Sequence, residues 1–392
     1  MDSKQGTVKK RENGFEYREQ FEKRKEEGKN MGVKTRKALD KMPNYIMAKS
    51  LEAEELSGQA KDIVKLAGNE NRLGCSPKVF EAITDYKDSF FYYPDMNCIK
   101  LRPTLAKKLS VDPDQLIFGN GSFELLSLLT QTFLEEGEES IIAQPSFGWY
   151  KNVTLQMGAE IIEVPLRDFK IDLEGTLKAI TEKTKIIWIC NPLNPIGSLL
   201  EKEKLLSFIK QVRNDILIVL DEAYIEFTEN PYFNTLELID AYENIISLRT
   251  FSKLYGLAGL RIGYGIANKN LLLQLQKVKI PPNVNAIAQI AALASLQDED
   301  FPQKVLDNNK KGLALYYETL DKWNLSYIRS NGNFIFLDTG KDSVVVEEYF
   351  IKKGVIIRGG YEFGFPTWLR ISIGTYEENK EALEVLREFL KK

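Results

Sequence analysis

Residues 250–261 read Thr250-Phe251-Ser252-Lys253-Leu254-Tyr255-Gly256-Leu257-Ala258-Gly259-Leu260-Arg261. One lysine stands between hydroxyl residues and small or apolar neighbours, and an arginine follows eight residues later. In a desolvated site the ammonium form of such a lysine is disfavoured, and the amine can form a Schiff base with a carbonyl compound. Thr250, Ser252 and Arg261 could then satisfy a phosphate dianion, Arg261 through charge-assisted bonds. The alternative is a glycine-rich turn carrying a solvent lysine.

Working outward, apolar runs of strand length flank this segment at Ile245–Leu248 and Ile262–Ile266. Others lie upstream at Leu116–Phe118, Ser140–Ala143, Glu160–Val164, Ile186–Cys190 and Ile216–Leu220. Short β-rich runs separated by helical stretches predict an α/β domain whose mostly parallel sheet is covered on both faces. After Pro281-Pro282 the pattern turns helical, then shows strands around Phe334–Leu337 and Leu369–Ile373 and a closing helix near Glu377–Leu390. That stretch predicts a second, smaller α+β domain.

Open α/β sheets hold ligands beyond the carboxyl ends of their strands, and polar motifs follow three of the upstream runs. Gly119-Asn120-Gly121-Ser122-Phe123-Glu124 opens a helix predicted over Phe123–Phe133, whose first N–H groups form an anion site. Taken alone, it is equally an ordinary strand-to-helix turn with a serine cap. Asn191-Pro192-Leu193-Asn194-Pro195-Ile196-Gly197 has its backbone fixed by two prolines and a glycine, leaving Asn194 as a rigidly held amide. Asp221-Glu222-Ala223-Tyr224 puts a carboxylate at the end of an apolar run, where it is costly unless paired with a cation such as a protonated ring nitrogen. Asp221 could instead cap the next helix.

The chain has 392 residues and no histidine, which removes histidine triads, HExxH zinc sites and histidine general bases. Its 53 Lys and Arg against 56 Asp and Glu leave a net charge of −3, which disfavours a dominant polyanion-binding role. Residues 1–50 carry +6 of net charge and the remainder −9. Glu12–Lys29 has few apolar residues and reads as an exposed helix or poorly ordered arm, with a basic docking arm as the alternative. Cys75, Cys98 and Cys190 fit neither a disulfide framework nor a metal cluster. No apolar run approaches the ~18 residues of a membrane span and the N-terminus is charged, so a cytoplasmic location is expected.

In order and spacing, the GNGS turn, the NPLNPIG loop, the DEAY strand end and the SKLYGLAGLR segment resemble the active-site signature of fold-type I pyridoxal 5'-phosphate aminotransferases, over residues 42–392. Within that family the chain is most similar to the branch acting on histidinol phosphate. This closer similarity lies in Tyr45 to Pro77, including Ile63-Val64-Lys65-Leu66-Ala67-Gly68-Asn69-Glu70-Asn71, and in Gly354-Val355-Ile356-Ile357-Arg358 followed by Leu369-Arg370-Ile371-Ser372-Ile373-Gly374-Thr375. The resemblance implies a large cofactor-binding domain at residues 75–282 with a mostly parallel seven-stranded sheet. It also implies a small α+β domain at 283–392, a segment at 41–74 packing on that small domain, and a basic extension at 1–40.

Carried over, the resemblance makes Lys253 the lysine that bonds the cofactor and Asp221 the partner of its ring nitrogen. Asn194 and Tyr224 would hold its phenolic oxygen, and Gly121, Ser122, Thr250, Ser252 and Arg261 its phosphate. Phe147 would stack on its ring. Tyr93 would reach the cofactor phosphate of a second subunit, which implies a homodimer. Asn69 and Arg370 would meet the substrate, Arg370 at its carboxylate or the phosphate equivalent, while Tyr45 and Arg358 would meet a distal phosphate; Arg358 can equally pair with a second carboxylate or a surface glutamate. The implied reaction is ping-pong amino transfer from L-histidinol phosphate, or a similar phosphorylated or aromatic donor, to 2-oxoglutarate, with no metal, nucleic acid or membrane involved.

The chain departs from the family pattern at Ile196, where threonine is usual, and at Phe147, where tyrosine is common. It departs again at Arg72 in place of proline and at Met47-Ala48 in place of Pro-Gly. The first two each soften one hydrogen bond; the last two lie near the substrate mouth and bear on specificity. Decarboxylation or oxidation on the same fold, and a non-catalytic binding relative, are the competing readings.

Overall fold

The computed structural model describes residues 33–42, 63–228 and 234–391; Tyr45, Met47-Ala48 and Glu12–Lys29 lie outside the described residues. Among the described residues thirteen strands follow in chain order: β1 (Val64–Lys65), β2 (Leu116–Gly119), β3 (Glu139–Gln144), β4 (Glu160–Pro165), β5 (Thr184–Cys190), β6 (Leu217–Asp221), β7 (Ile245–Thr250), β8 (Gly263–Ala267), β9 (Tyr327–Ile328), β10 (Phe334–Asp338), β11 (Val355–Ile356), β12 (Arg358–Gly359) and β13 (Trp368–Ser372). The seven runs expected from the sequence form one seven-stranded sheet ordered β2-β8-β7-β6-β5-β3-β4. Only β8 runs antiparallel to its neighbours. The central strands are buried on both faces, which is why Ile-Ile-Trp-Ile-Cys and Leu-Ile-Val-Leu-Asp read as unbroken apolar runs.

Register then assembles the motifs. Cys190 pairs with Asp221 and Asp221 with Leu248, so the loops after β5, β6 and β7 leave the sheet side by side. Gly263 pairs with both Gly119 and Thr250, which draws the turn after β2 to the same edge. A side chain at residue 263 would stand 2.3 Å from the Ser122 amide nitrogen, so the approach of turn and strand requires glycine there.

A second antiparallel sheet, β12-β13-β10-β9, builds a smaller core around Tyr316, Ile335, Phe350 and Leu369. β1 joins this half of the molecule by pairing in parallel with β11, and Leu66 lies in its core. Pro281-Pro282 turns the chain without ending the first core. The helix Ala286–Leu296 after it packs on the helices Pro77–Tyr86 and Leu101–Leu109. The second core takes over within the long helix Asp300–Lys322, where Val305 belongs to the first and Leu313, Tyr316 and Leu320 to the second.

One buried ion pair locks the ends of β6 and β7. Arg249 Nε donates to Glu222 Oε2 at 2.8 Å, with side chains 11% and 1% exposed, and the Thr235 hydroxyl also donates to Glu222. Arg249→Met leaves a buried carboxylate without its cation and is expected to cost about 3 kcal/mol of stability. The check is the urea unfolding free energy; a loss under about 1 kcal/mol would assign the pair little structural weight.

Candidate active site

At the shared edge of the large sheet a cavity of about 280 Å³ adjoins a second of about 390 Å³. Gly68, Phe147, Asn194, Tyr224 and Lys253 line both. The inner cavity is completed by Ser122, Asp221, Thr250, Ser252 and Arg261, the outer by Asn69, Arg358 and Arg370.

Among the described residues the inner cavity contains a single lysine, Lys253, whose Nζ donates to the Gly68 carbonyl at 2.9 Å. Desolvation pulls its pKa down to about 8; Glu70 opposes the shift, while Arg370, Arg261 and Lys65 reinforce it. Asp221, 6% exposed, accepts from the Tyr150 hydroxyl at 2.6 Å and from the Ala223 N–H at 3.2 Å. Burial pushes its carboxyl pKa up, and these two donors pull it back. Tyr150 is held from behind by Trp188, whose ring stacks on it at 5.0 Å. The Tyr224 hydroxyl accepts from Asn69 Nδ2 at 3.0 Å, and burial pushes its pKa up to about 12.

Beside these groups the chain forms an anion cup. Gly121, at φ 75°, precedes the helix Ser122–Phe133, whose free N–H groups and dipole favour negative charge. A side chain at residue 121 would meet Arg261 Nη2 at 2.3 Å, so glycine admits the guanidinium. Arg261, itself at φ 59°, is fixed by donating from Nη1 to the Ala258 carbonyl at 2.9 Å. Thr250 Oγ1 accepts from the Ser252 N–H at 3.0 Å and shapes the opposite loop. Phe147 lies edge-on to Tyr150, with ring centroids 5.5 Å apart.

In the outer cavity Arg370 donates to Asn194 Oδ1 and to the Ala67 carbonyl, each at 2.6 Å. Arg358 pairs with Glu362. Asn69, at φ 54°, is pinned by its N–H to Ser372 Oγ at 2.8 Å. Tyr93 lines neither cavity; it is 85% exposed on the outer surface. The three cysteines are unpaired, and the described residues hold no cluster of acidic and thiol side chains suited to a metal ion. Sequence reasoning missed Tyr150, Glu70 and Glu362. Tyr150 falls one helical turn after Phe147 and reads as a core aromatic, so nothing local marks its bond to Asp221.

The fold and the site together define a transferase of a known class. Residues 61–386 match the aminotransferase class I and II family, and the chain belongs to it. It is 42% identical over 356 residues to the histidinol-phosphate aminotransferase of Caldicellulosiruptor saccharolyticus, covering 91% of this chain and 99% of that one. It is likewise 42% identical over 349 residues to the enzyme of that name from Brevibacillus brevis, covering 89% and 96%. The crystal structure of histidinol-phosphate aminotransferase from Sinorhizobium meliloti in complex with pyridoxal-5'-phosphate superposes with a TM-score of 0.84 at 26% identity, covering 92% of this chain and 100% of that one.

The chain is therefore a pyridoxal-phosphate-dependent aminotransferase of fold type I. Its own geometry fits the cofactor. An anion cup, a buried carboxylate and a single amine share the inner cavity, the functions that a phosphate, a basic ring nitrogen and an aldehyde need. The neutral amine is the nucleophile, and Lys253 is ammonium below its pKa of about 8. The rate at which cofactor-free protein takes up pyridoxal phosphate is therefore expected to rise with pH through about 8 and then level off. Stopped-flow absorbance measures it; a rate still climbing through pH 10 would show that the lysine keeps an ordinary pKa.

Proposed function

We propose that this chain moves an amino group between L-histidinol phosphate and 2-oxoglutarate by a ping-pong mechanism. The carrying observation is a pair of arginines, Arg358 and Arg370, opposite each other across β12 and β13 on the wall of the cavity that Lys253 also lines. Two guanidiniums suit a phosphate better than a single carboxylate. The names of the relatives support the same substrate.

Within this reading Gly121, Ser122, Thr250, Ser252 and Arg261 hold the cofactor's phosphate, Asn194 and Tyr224 its phenolic oxygen, and Phe147 its ring. Pyridoxal phosphate, when bound, withdraws electrons from substrate Cα. Asp221 keeps the ring nitrogen protonated, and Tyr150 keeps Asp221 aimed. Lys253, once its amine is free, removes and returns the proton at Cα, its depressed pKa placing the base near working pH. Asn69 positions Tyr224, and Arg370 and Arg358 receive the substrate's phosphate, with Tyr45 as a further contact.

We read the active unit as a homodimer in the cytoplasm. Phe90, Phe91, Tyr92, Tyr93, Met96 and Ile99 form an exposed apolar stretch, each at least 48% exposed, which supports a covered face from which Tyr93 reaches the second site. No helix among the described residues is long and apolar enough to cross a membrane. Residues 41–74 are read as a segment that packs on the small domain, supported by the pairing of β1 with β11.

A half-reaction screen tests the substrate. L-Histidinol phosphate is expected to discharge the near-visible absorbance of the holoenzyme far more efficiently than aromatic or dicarboxylic amino acids. Conversion by those amino acids alone would overturn the substrate and leave the aminotransferase intact. Release of carbon dioxide or peroxide without conversion would overturn the transfer reaction itself.

A further inference from the structure

We propose that Glu362 is the resident counter-ion of a two-arginine anion site and is displaced from Arg358 when a phosphomonoester enters, so that it restrains the affinity of the site for anions. The inference rests on the reading of Arg358 as a substrate-anion residue.

β12 and β13 place Arg358 directly opposite Arg370. Their guanidinium carbons stand 5.4 and 5.5 Å from the centroid of the same ring, Phe363. Like charges facing each other across a strand pair repel, and here both face one cavity. Two of the partners of Arg370, Asn194 and the Ala67 carbonyl, are neutral. Glu362 supplies a countercharge to Arg358: the two pair, their side chains being 14% and 10% exposed. Among the described residues the carboxylates lining this cavity are Glu362 and Glu163, and Glu163 is bonded to Lys151 at 2.8 Å near the solvent. Arg358 Nε is buried and has no hydrogen-bond partner among the described residues, so Glu362 leaves the guanidinium partly unsatisfied there.

This arrangement discriminates by charge. Without a ligand, Glu362 removes the cost of a desolvated cation, and any entering group must do better than one carboxylate. A phosphate dianion brings more charge and three acceptor oxygens, enough to bridge both guanidiniums and reach Nε. A neutral aromatic side chain brings neither and leaves the Arg358–Glu362 pair closed. Glu362 thus acts through Arg358 as a positioning residue.

The test is calorimetric titration of inorganic phosphate into holoenzyme, in which the cofactor's own phosphate fills the cup. Glu362→Gln and Glu362→Ala are each expected to bind phosphate about tenfold more tightly than the parent, and Glu362→Asp to stay near it. Arg358→Met is expected to lose the binding. In turnover, KM for the phosphorylated donor is expected to fall in Glu362→Gln without a matching rise in kcat. A loosened site does not gain affinity, so the direction separates this role from a structural one. Unchanged or weaker binding in the glutamine and alanine variants, with binding still lost in Arg358→Met, overturns the role of Glu362 and leaves the anion site standing. Binding that survives Arg358→Met, or no binding in any form, overturns both.

Discussion

Lys253→Ala is expected to abolish the near-visible absorbance of the bound cofactor and to lower turnover by at least about 10⁵-fold. Two losses combine. Among the described residues the lysine is the single amine in the inner cavity, so no other described side chain there can bond the cofactor's aldehyde. The same amine is the base held near Cα, and a base from solvent forfeits the effective concentration of a fixed one. Cofactor still enters through the cup, so the variant should retain non-covalent pyridoxal phosphate on gel filtration. Measurable transamination with the expected absorbance intact would sink the assignment of Lys253.

Asp221→Asn is expected to lower kcat by roughly 10³-fold while leaving the fold and covalent attachment in place. Asp221 is 6% exposed, and burial alone favours its neutral form. The Tyr150 hydroxyl and the Ala223 N–H favour the carboxylate, and a protonated ring nitrogen completes what they begin. An amide of the same shape keeps the packing and loses the charge, so the ring nitrogen is no longer held protonated. Two readouts separate this from general damage: the pH titration of the cofactor absorbance should move, and KM should change far less than kcat. A loss under tenfold, with an unmoved titration, would show that another group carries the ring proton.

The fold was legible because its sheet is buried on both faces, which forces each strand into a short apolar run with turn residues at its end. Parallel register then brings those ends together, so Asn194, Asp221, Ser252 and Lys253 could be placed at one edge before any contact was known. Interactions that exist only across elements were not legible. Tyr150 reads as one more core aromatic until the helix Trp149–Gln156 sets its hydroxyl on Asp221. Glu362 is four residues from Arg358, yet the turn at Gly360–Phe363, not the spacing, decides that its carboxylate points at the guanidinium. The helix Ala286–Leu296 after Pro281-Pro282 packs in the first core, and its apolar face can be assigned to a partner only in three dimensions.

Residues 64–71 behave as a tie-rod between the two cores. At one end β1 is bonded to β11, and the Leu66 carbonyl accepts from Ser372 N–H. At the other, the Gly68 carbonyl holds the Lys253 amine, Asn69 holds Tyr224, and Asn71 Nδ2 donates to the Leu254 carbonyl at 3.0 Å. The small core therefore cannot swing away from the large sheet without pulling on the atoms around the reactive nitrogen. The short segment that joins the small core to the large sheet is thus the same one that holds the reactive nitrogen and the tyrosine beside it.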